Sequence, residues 1–232
     1  LASAAPVAWP ADNAWTPATI GAAPYVDRLT VGGNLNDDYY NTPPSPEYTD
    51  IVGGTDAAAQ GVFAAGFWSN NGTDVMFRIR VDAVPLVNPQ TVWQVLLNLD
   101  ADSDAEYALQ LDLSSADNQV ELVQALSGGP DNGWNVVLAG PPHTNAADRA
   151  DYSRYVNAST GAANPPYTGS HFDSLAPADD DYFVDIAFPW ADFKSVTGVG
   201  DGFDFADNIA FSTSASHTLT NKDQIGRASC RE

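Results

Sequence analysis

One cysteine, one methionine and three histidines in 232 residues leave little for redox or transition-metal chemistry. Cys230 alone cannot form an internal disulfide. His143, His171 and His217 are far apart and lack the H-x-x-x-H or E-x-x-H spacing of a metal helix. Neither a G-x-S-x-G elbow nor a phosphate-binding P-loop occurs. An acidic run at Asp179, Asp180 and Asp181 carries little weight in so acidic a chain. The chain is therefore expected to be non-catalytic. Basic residues are scarce: 9 against 30 acidic ones, a net charge of −21, with lysine only at Lys194 and Lys222. Nucleic acid and anionic membranes both demand Lys and Arg, so neither is an expected partner. No apolar run approaches the roughly 18 to 20 residues that cross a bilayer, so no membrane insertion is expected. Such a surface suits extracellular, calcium-rich or saline water.

What the chain does have is apolar residues, at 44 %, and aromatics, at 11 %, enough for a real core. Period-two alternation recurs along it. In residues 74–82 (DVMFRIRVD), Val75, Phe77, Ile79 and Val81 share one face and Met76, Arg78 and Arg80 the other. Further strands are expected near 25–35, 61–69, 119–126, 134–138, 151–156, 181–188 and 207–214. Asn70-Asn71-Gly72 is a strong hairpin signal. Pro189-Trp190 opens a short helical turn, with proline where its missing N–H is harmless. About nine strands with Gly- and Pro-rich turns and long loops predict an all-β fold, an antiparallel, jelly-roll-like β-sandwich.

Residues 1–24, rich in Ala and Pro, read as an extended leader or linker, and Ala2-Ser3-Ala4 fits either the end of a secretory signal or a small-residue linker. Residues 25–224 are expected to form the sandwich. The last eight residues, 225–232, break the local composition with two Arg and the cysteine. They resemble translated sequencing-adapter read-through, so the native chain is expected to lack them.

Residues 93–112 (WQVLLNLDADSDAEYALQLD) are expected to be two strands joined by an acidic turn. Asp100, Asp102, Asp104 and Glu106 alternate within it and repel one another unless a cation sits among them. A hard, oxygen-seeking Ca²⁺ is the natural candidate, with a solvated acidic turn as the alternative. The turn is not an EF-hand: Ala105 stands where that loop requires Gly, Leu111 where it requires Glu, and strands flank it.

Trp68 and Trp134 are candidate sugar-stacking faces, each with packing beneath a loop as the alternative. Trp68 falls out of phase with Phe63, Ala65 and Phe67, whereas Trp93 is in phase with Val95 and Leu97 and is expected in the core. Arg78 and Arg80 either pair with acids such as Asp112 or Asp185 or hydrogen-bond sugar hydroxyls.

Four segments together (FRIRVDA at 77–83, the acidic hairpin at 93–112, DYFVDIAFPWADF at 181–193 and DNIAFSTSASHTLTNKD at 207–223) resemble the family 9 carbohydrate-binding-module-like domain, a DOMON-like β-sandwich of secreted and surface proteins. The resemblance spans roughly residues 25–223. It implies a non-catalytic extracellular carbohydrate-binding or adhesion module, whose partners would be a polysaccharide or cell-surface glycan and the other domains of a larger protein. The alternatives are a structural domain of a surface protein with no small ligand, and a fragment of a secreted glycoside hydrolase. The family's tryptophan clamp has no matching positions here.

Overall fold

The computed structural model describes residues 6–11, 14–20, 23–24, 51, 54–56, 61–81, 91–100, 105–113, 120–126, 134–139, 152–157, 182–206, 208–214 and 224–226. Two antiparallel sheets dominate. One runs β1 (Thr16–Pro17), β6 (Gly66–Asn70), β7 (Asp74–Val81), β13 (Tyr182–Pro189), β12 (Ser153–Asn157). The other runs β11 (Trp134–Ala139), β10 (Val120–Ala125), β9 (Tyr107–Asp112), β8 (Val92–Leu97), β14 (Ile209–Ser214), β15 (Gln224–Gly226). Two small hairpins, β2 (Thr19–Ile20) with β3 (Ala23–Pro24) and β4 (Gly54–Asp56) with β5 (Gly61–Phe63), stand apart from them. The described helix, α1 (Trp190–Thr197), follows β13 directly and ends on Gly198 in the left-handed conformation. The all-β sandwich expected from the alternation is what forms, with more and shorter strands than nine. The strand expected at 25–35 lies outside the described residues.

The core lies between the sheets. Val75, Phe77 and Ile79 of β7 pair in register with Phe188, Ile186 and Val184 of β13. They join Trp93, Val95, Leu97, Leu109, Leu111 and Phe211 from the second sheet in one buried cluster. Trp93 is fully buried, as its phase predicts. Gly66 marks a close approach of the sheets: a Cβ there would stand 2.0 Å from Cε2 of Phe211.

The second face of the five-stranded sheet is buried too, a feature that β7's alternation conceals. Arg78 and Arg80 have no exposed surface. Arg78 donates from Nε to Oδ1 of Asp185 at 2.6 Å and from Nη2 to Oδ2 at 2.8 Å. Arg154 of β12 donates from Nε to the same Oδ2 at 2.7 Å. Cross-strand register places all three in one row, with Asp185 opposite Arg78 on one side and Arg154 on the other. Two guanidinia on one buried carboxylate form short, charge-assisted bonds with a geometry only Arg offers.

Residues 6–11 and 14–18 supply the cover. β1 pairs Thr16 with Trp68 and Pro17 with Phe67, and Ala18 donates its N–H to the Gly66 carbonyl at 2.9 Å. Trp15 is 6 % exposed, and its ring centroid lies 4.5 Å from the Arg78 guanidinium, the same distance as Phe183's. Trp9 lies 4.8 Å from the Arg154 guanidinium and 6.5 Å from Trp15. Stacking on aromatic faces compensates desolvated guanidinia in part. Where a leader is expected, this stretch therefore joins the sheet and roofs an ion cluster. At the opposite end, Ile225 and Gly226 of the tail pair with Phe211 and Ala210, while residues 227–232 lie outside the described set.

Removing Asp185 takes a charge-assisted partner from the buried Arg78 and from the partly exposed Arg154. Asp185→Ala is expected to destabilise the fold by about 3–5 kcal/mol in urea titrations; a loss below about 1 kcal/mol would contradict the ion cluster as described. Gly66→Ala forces Phe211 to move and is expected to cost at least about 1–3 kcal/mol on the same assay.

Candidate functional site

The β6–β7 turn, α1 and residues 201–205 enclose an open cleft of about 640 Å³, within the range of small-molecule sites. Its apolar lining is aromatic: Trp68, Trp190, Phe203 and Phe205. Its polar lining is Asn70, Asp201 and Asp204, with no basic side chain among the lining residues.

Each wall is fixed by local chemistry. In the turn, Asn70 Oδ1 accepts the Gly72 N–H at 2.8 Å. Asn71 Oδ1 accepts those of Thr73 and Asp74 at 2.9 and 2.8 Å. Gly72 sits at φ +85°, a conformation a side chain would strain. The turn is tied on both flanks: Asn71 Nδ2 donates to the Ala8 carbonyl at 3.2 Å, and the Trp190 N–H donates to the Thr73 carbonyl at 2.7 Å. Behind the cleft, Phe205 is the hub of an aromatic cluster. Its ring centroid is 5.0 Å from Phe203, 5.2 Å from Trp68, 5.4 Å from Phe77, and 6.0 Å from both Trp190 and Phe193. Phe205 is buried, whereas Trp68 and Phe203 are half-buried and keep surface for a ligand.

The rim is charged. Asp201 Oδ1 accepts from Lys194 Nζ at 2.5 Å and from Trp190 Nε1 at 3.1 Å. The lysine hydrogen bond above all, with the indole bond beside it, holds this carboxyl below the usual carboxylate range. Lys194 Nζ also lies 5.3 Å from the centroid of the Trp190 ring. Asp204 is exposed and uses Oδ1 to accept the Ala206 N–H at 2.9 Å. A carboxylate held ionised accepts hydrogen bonds well and donates protons poorly, so Asp201 suits binding and not general-acid work.

The residues singled out by sequence do not converge. Trp68 is on the cleft, but for a reason opposite to its phase. It pairs with Phe77, on the core side of the sheet, and sits at the sandwich edge where the core meets solvent. Phe67, expected inward, is on the other face, against Phe183 at 5.8 Å beneath the aromatic cover. Trp134 is 7 % exposed and packs with Leu96, Ala108, Val123 and Ala210 on the far face of the six-stranded sheet, which leaves no open stacking surface. Arg78 and Arg80 are sealed inside the first sheet, beyond reach of sugar hydroxyls, and Arg78 takes Asp185, one of its two expected partners. Of the acidic turn, Asp100 is exposed and Glu106 Oε2 accepts the Leu99 N–H at 2.6 Å, closing the β8–β9 connection. Asp102 and Asp104 lie outside the described residues, as do His143, His171 and His217. Among the described residues, no three His, Cys, Asp or Glu side chains group as a metal site. No described helix is long and apolar enough to cross a membrane.

Sequence reasoning missed Trp190, Asp201, Phe203, Asp204 and Phe205. The one available signal was the alternation of Phe203 and Phe205 with acids in residues 201–205 (DGFDF), a mixture unusual for a plain loop. Comparison of the chain with family models, with curated proteins and with solved structures yields no match. The described residues form a β-sandwich with an open, aromatic, acid-rimmed cleft.

Asp74, where the turn enters β7, is 6 % exposed, and burial pushes its carboxyl up. A raised acid makes its full contribution to stability below the unfolded value and loses it as pH rises through the folded one. Asp74→Asn is expected to melt above the parent at neutral pH, with the two converging in acid. Parallel melting curves at both pH values would contradict the burial cost.

Proposed function

We propose that the chain is a non-catalytic carbohydrate-binding or adhesion module of the extracellular space, with the cleft as its binding surface. The observation that carries this reading is the cleft's composition: half-exposed aromatic rings beside ionised or amide acceptors. The apolar C–H face of a pyranose stacks on the rings of Trp68 and Phe203. Its hydroxyls donate to Asp201, Asp204 and the Asn70 side chain, all on the lining. The negative charge of the chain, −21, supports the extracellular setting.

Trp68→Ala and Phe203→Ala test the platform. Each is expected to weaken glycan binding by about tenfold, the loss of roughly 1.4 kcal/mol that one aromatic contact supplies, while the far-UV spectrum stays native. Trp134→Ala is the contrasting variant: it should lower the melting temperature and leave binding by the folded fraction intact. If a glycan array finds no ligand for the folded parent, the chain is a structural domain of a larger surface protein instead.

Calcium belongs to the same reading as a stabiliser of the acidic turn. Asp100, Asp102, Asp104 and Glu106 would supply its hard oxygen ligands. An ion that binds the folded state alone adds about 2.7 kcal/mol at a hundredfold excess over its Kd. Melting in millimolar Ca²⁺ is expected well above melting in EDTA at equal ionic strength, and Asp102→Asn with Asp104→Asn should remove most of the gap. Equal melting temperatures would leave the turn as a solvated one.

A further inference from the structure

The cleft already shows how it treats a cation. Lys194 places its ammonium 2.5 Å from Oδ1 of Asp201 and 5.3 Å from the centroid of the Trp190 ring. A cation against a π-face and a carboxylate together is the arrangement by which proteins recognise ammonium groups. The lysine reaches this position from α1, at the rim, and is not among the residues that line the cleft. Asp204 is a second carboxylate on the same lining as the half-buried Trp68 and Phe203, with one oxygen on the Ala206 N–H and its side chain exposed. The cleft thus has two carboxylates, one matched by Lys194 and the other by no basic lining residue. Around it the chain carries −21, which attracts cations and repels the uronic acids and sulfates of acidic polysaccharides.

We infer that the ligand of this cleft is an amine-bearing polysaccharide, one built of 2-amino-2-deoxy sugars whose nitrogen is free and protonated, with Trp68 and Phe203 stacking a sugar ring while Asp204 takes the ammonium. The inference rests on the carbohydrate reading above and adds the charge of the sugar. A sugar ring is favoured over a protein lysine because the cleft is open, is lined by more than one aromatic ring, and has an amide at Asn70 for hydroxyls. A lysine side chain would use the carboxylates and leave that breadth unfilled. Lys194 then acts as an internal competitor, holding Asp201 until a ligand ammonium displaces it.

The experiment is calorimetric titration of the full chain, in calcium, with a β-1,4-linked glucosamine oligomer, its fully N-acetylated form, a neutral β-glucan of equal length and an oligolysine. The free-amine oligomer is expected to bind roughly tenfold tighter than its acetylated form, the combined effect of one cation–π contact and one exposed ion pair, and to weaken steeply as salt is raised. Asp204→Asn should erase the preference for the amine while leaving the weaker binding of the acetylated form. Lys194→Met should tighten amine binding, because it frees Asp201; circular dichroism confirms that both variants are folded. Equal binding of the amine, acetylated and neutral oligomers would overturn the inference and leave the carbohydrate reading standing. Binding of oligolysine as tight as that of the amino sugar would overturn it in favour of a protein ligand. No binding of any of the three glycans would overturn both.

Discussion

A single buried carboxylate, Asp185, holds the first sheet together. Its two oxygens accept three hydrogen bonds from Arg78 and Arg154, so that β7, β13 and β12 are joined by side chains as well as by their backbone ladders. Charges this deep are tolerable only when paired, hydrogen-bonded and shielded from water. The shield is Trp9 and Trp15, and it exists only because residues 6–11 and 14–18 run along the sheet and pair with β6. The five-stranded sheet is consequently apolar toward the core and ionic toward its cover. Removing the cover would hydrate a carboxylate and two guanidinia, and the anchorage of the β6–β7 turn through Ala8 would go with it.

That dependence reaches the cleft. The turn that forms one wall is fastened to the cover on one side and to α1 on the other. Phe205 ties the remaining wall into the core through Phe77. A cleft built from three separate parts of the chain is thereby held by one side-chain and one backbone hydrogen bond and by one aromatic hub, the kind of support that keeps a small site in one geometry.

The strands were legible in the sequence because period-two alternation is a local property. β7, β8, β9 and β13 appear where their alternation placed them, and the Asn-Asn-Gly turn forms as its residues require. What alternation cannot show is what lies against the second face of a sheet. Arg78 and Arg80 read as solvent-facing because their phase is opposite to the core's, yet both are buried, Arg78 against Trp15 of a distant proline-rich stretch and Arg80 against Phe183. The phase of Trp68 misled for a related reason: Phe67 is buried under the cover on the outer face, so at this pair of positions burial does not mark the core side. The cleft was least legible, since its rings come from positions near 68, 190 and 203 that have nothing in common until the chain folds.

The cover has a consequence for the order of assembly. Trp9 and Trp15 come early in the described chain, whereas Asp185 lies 107 residues beyond Arg78 and 170 beyond Trp15. At translation rates of several residues per second, the two tryptophans wait on the order of ten seconds before their binding surface exists. Sheet 1 therefore cannot close progressively as it emerges. It closes only when β12 and β13 have been made, with the slow kinetics that long-range β pairing imposes. In that interval the tryptophans are exposed apolar surface on a nascent chain, open to a chaperone.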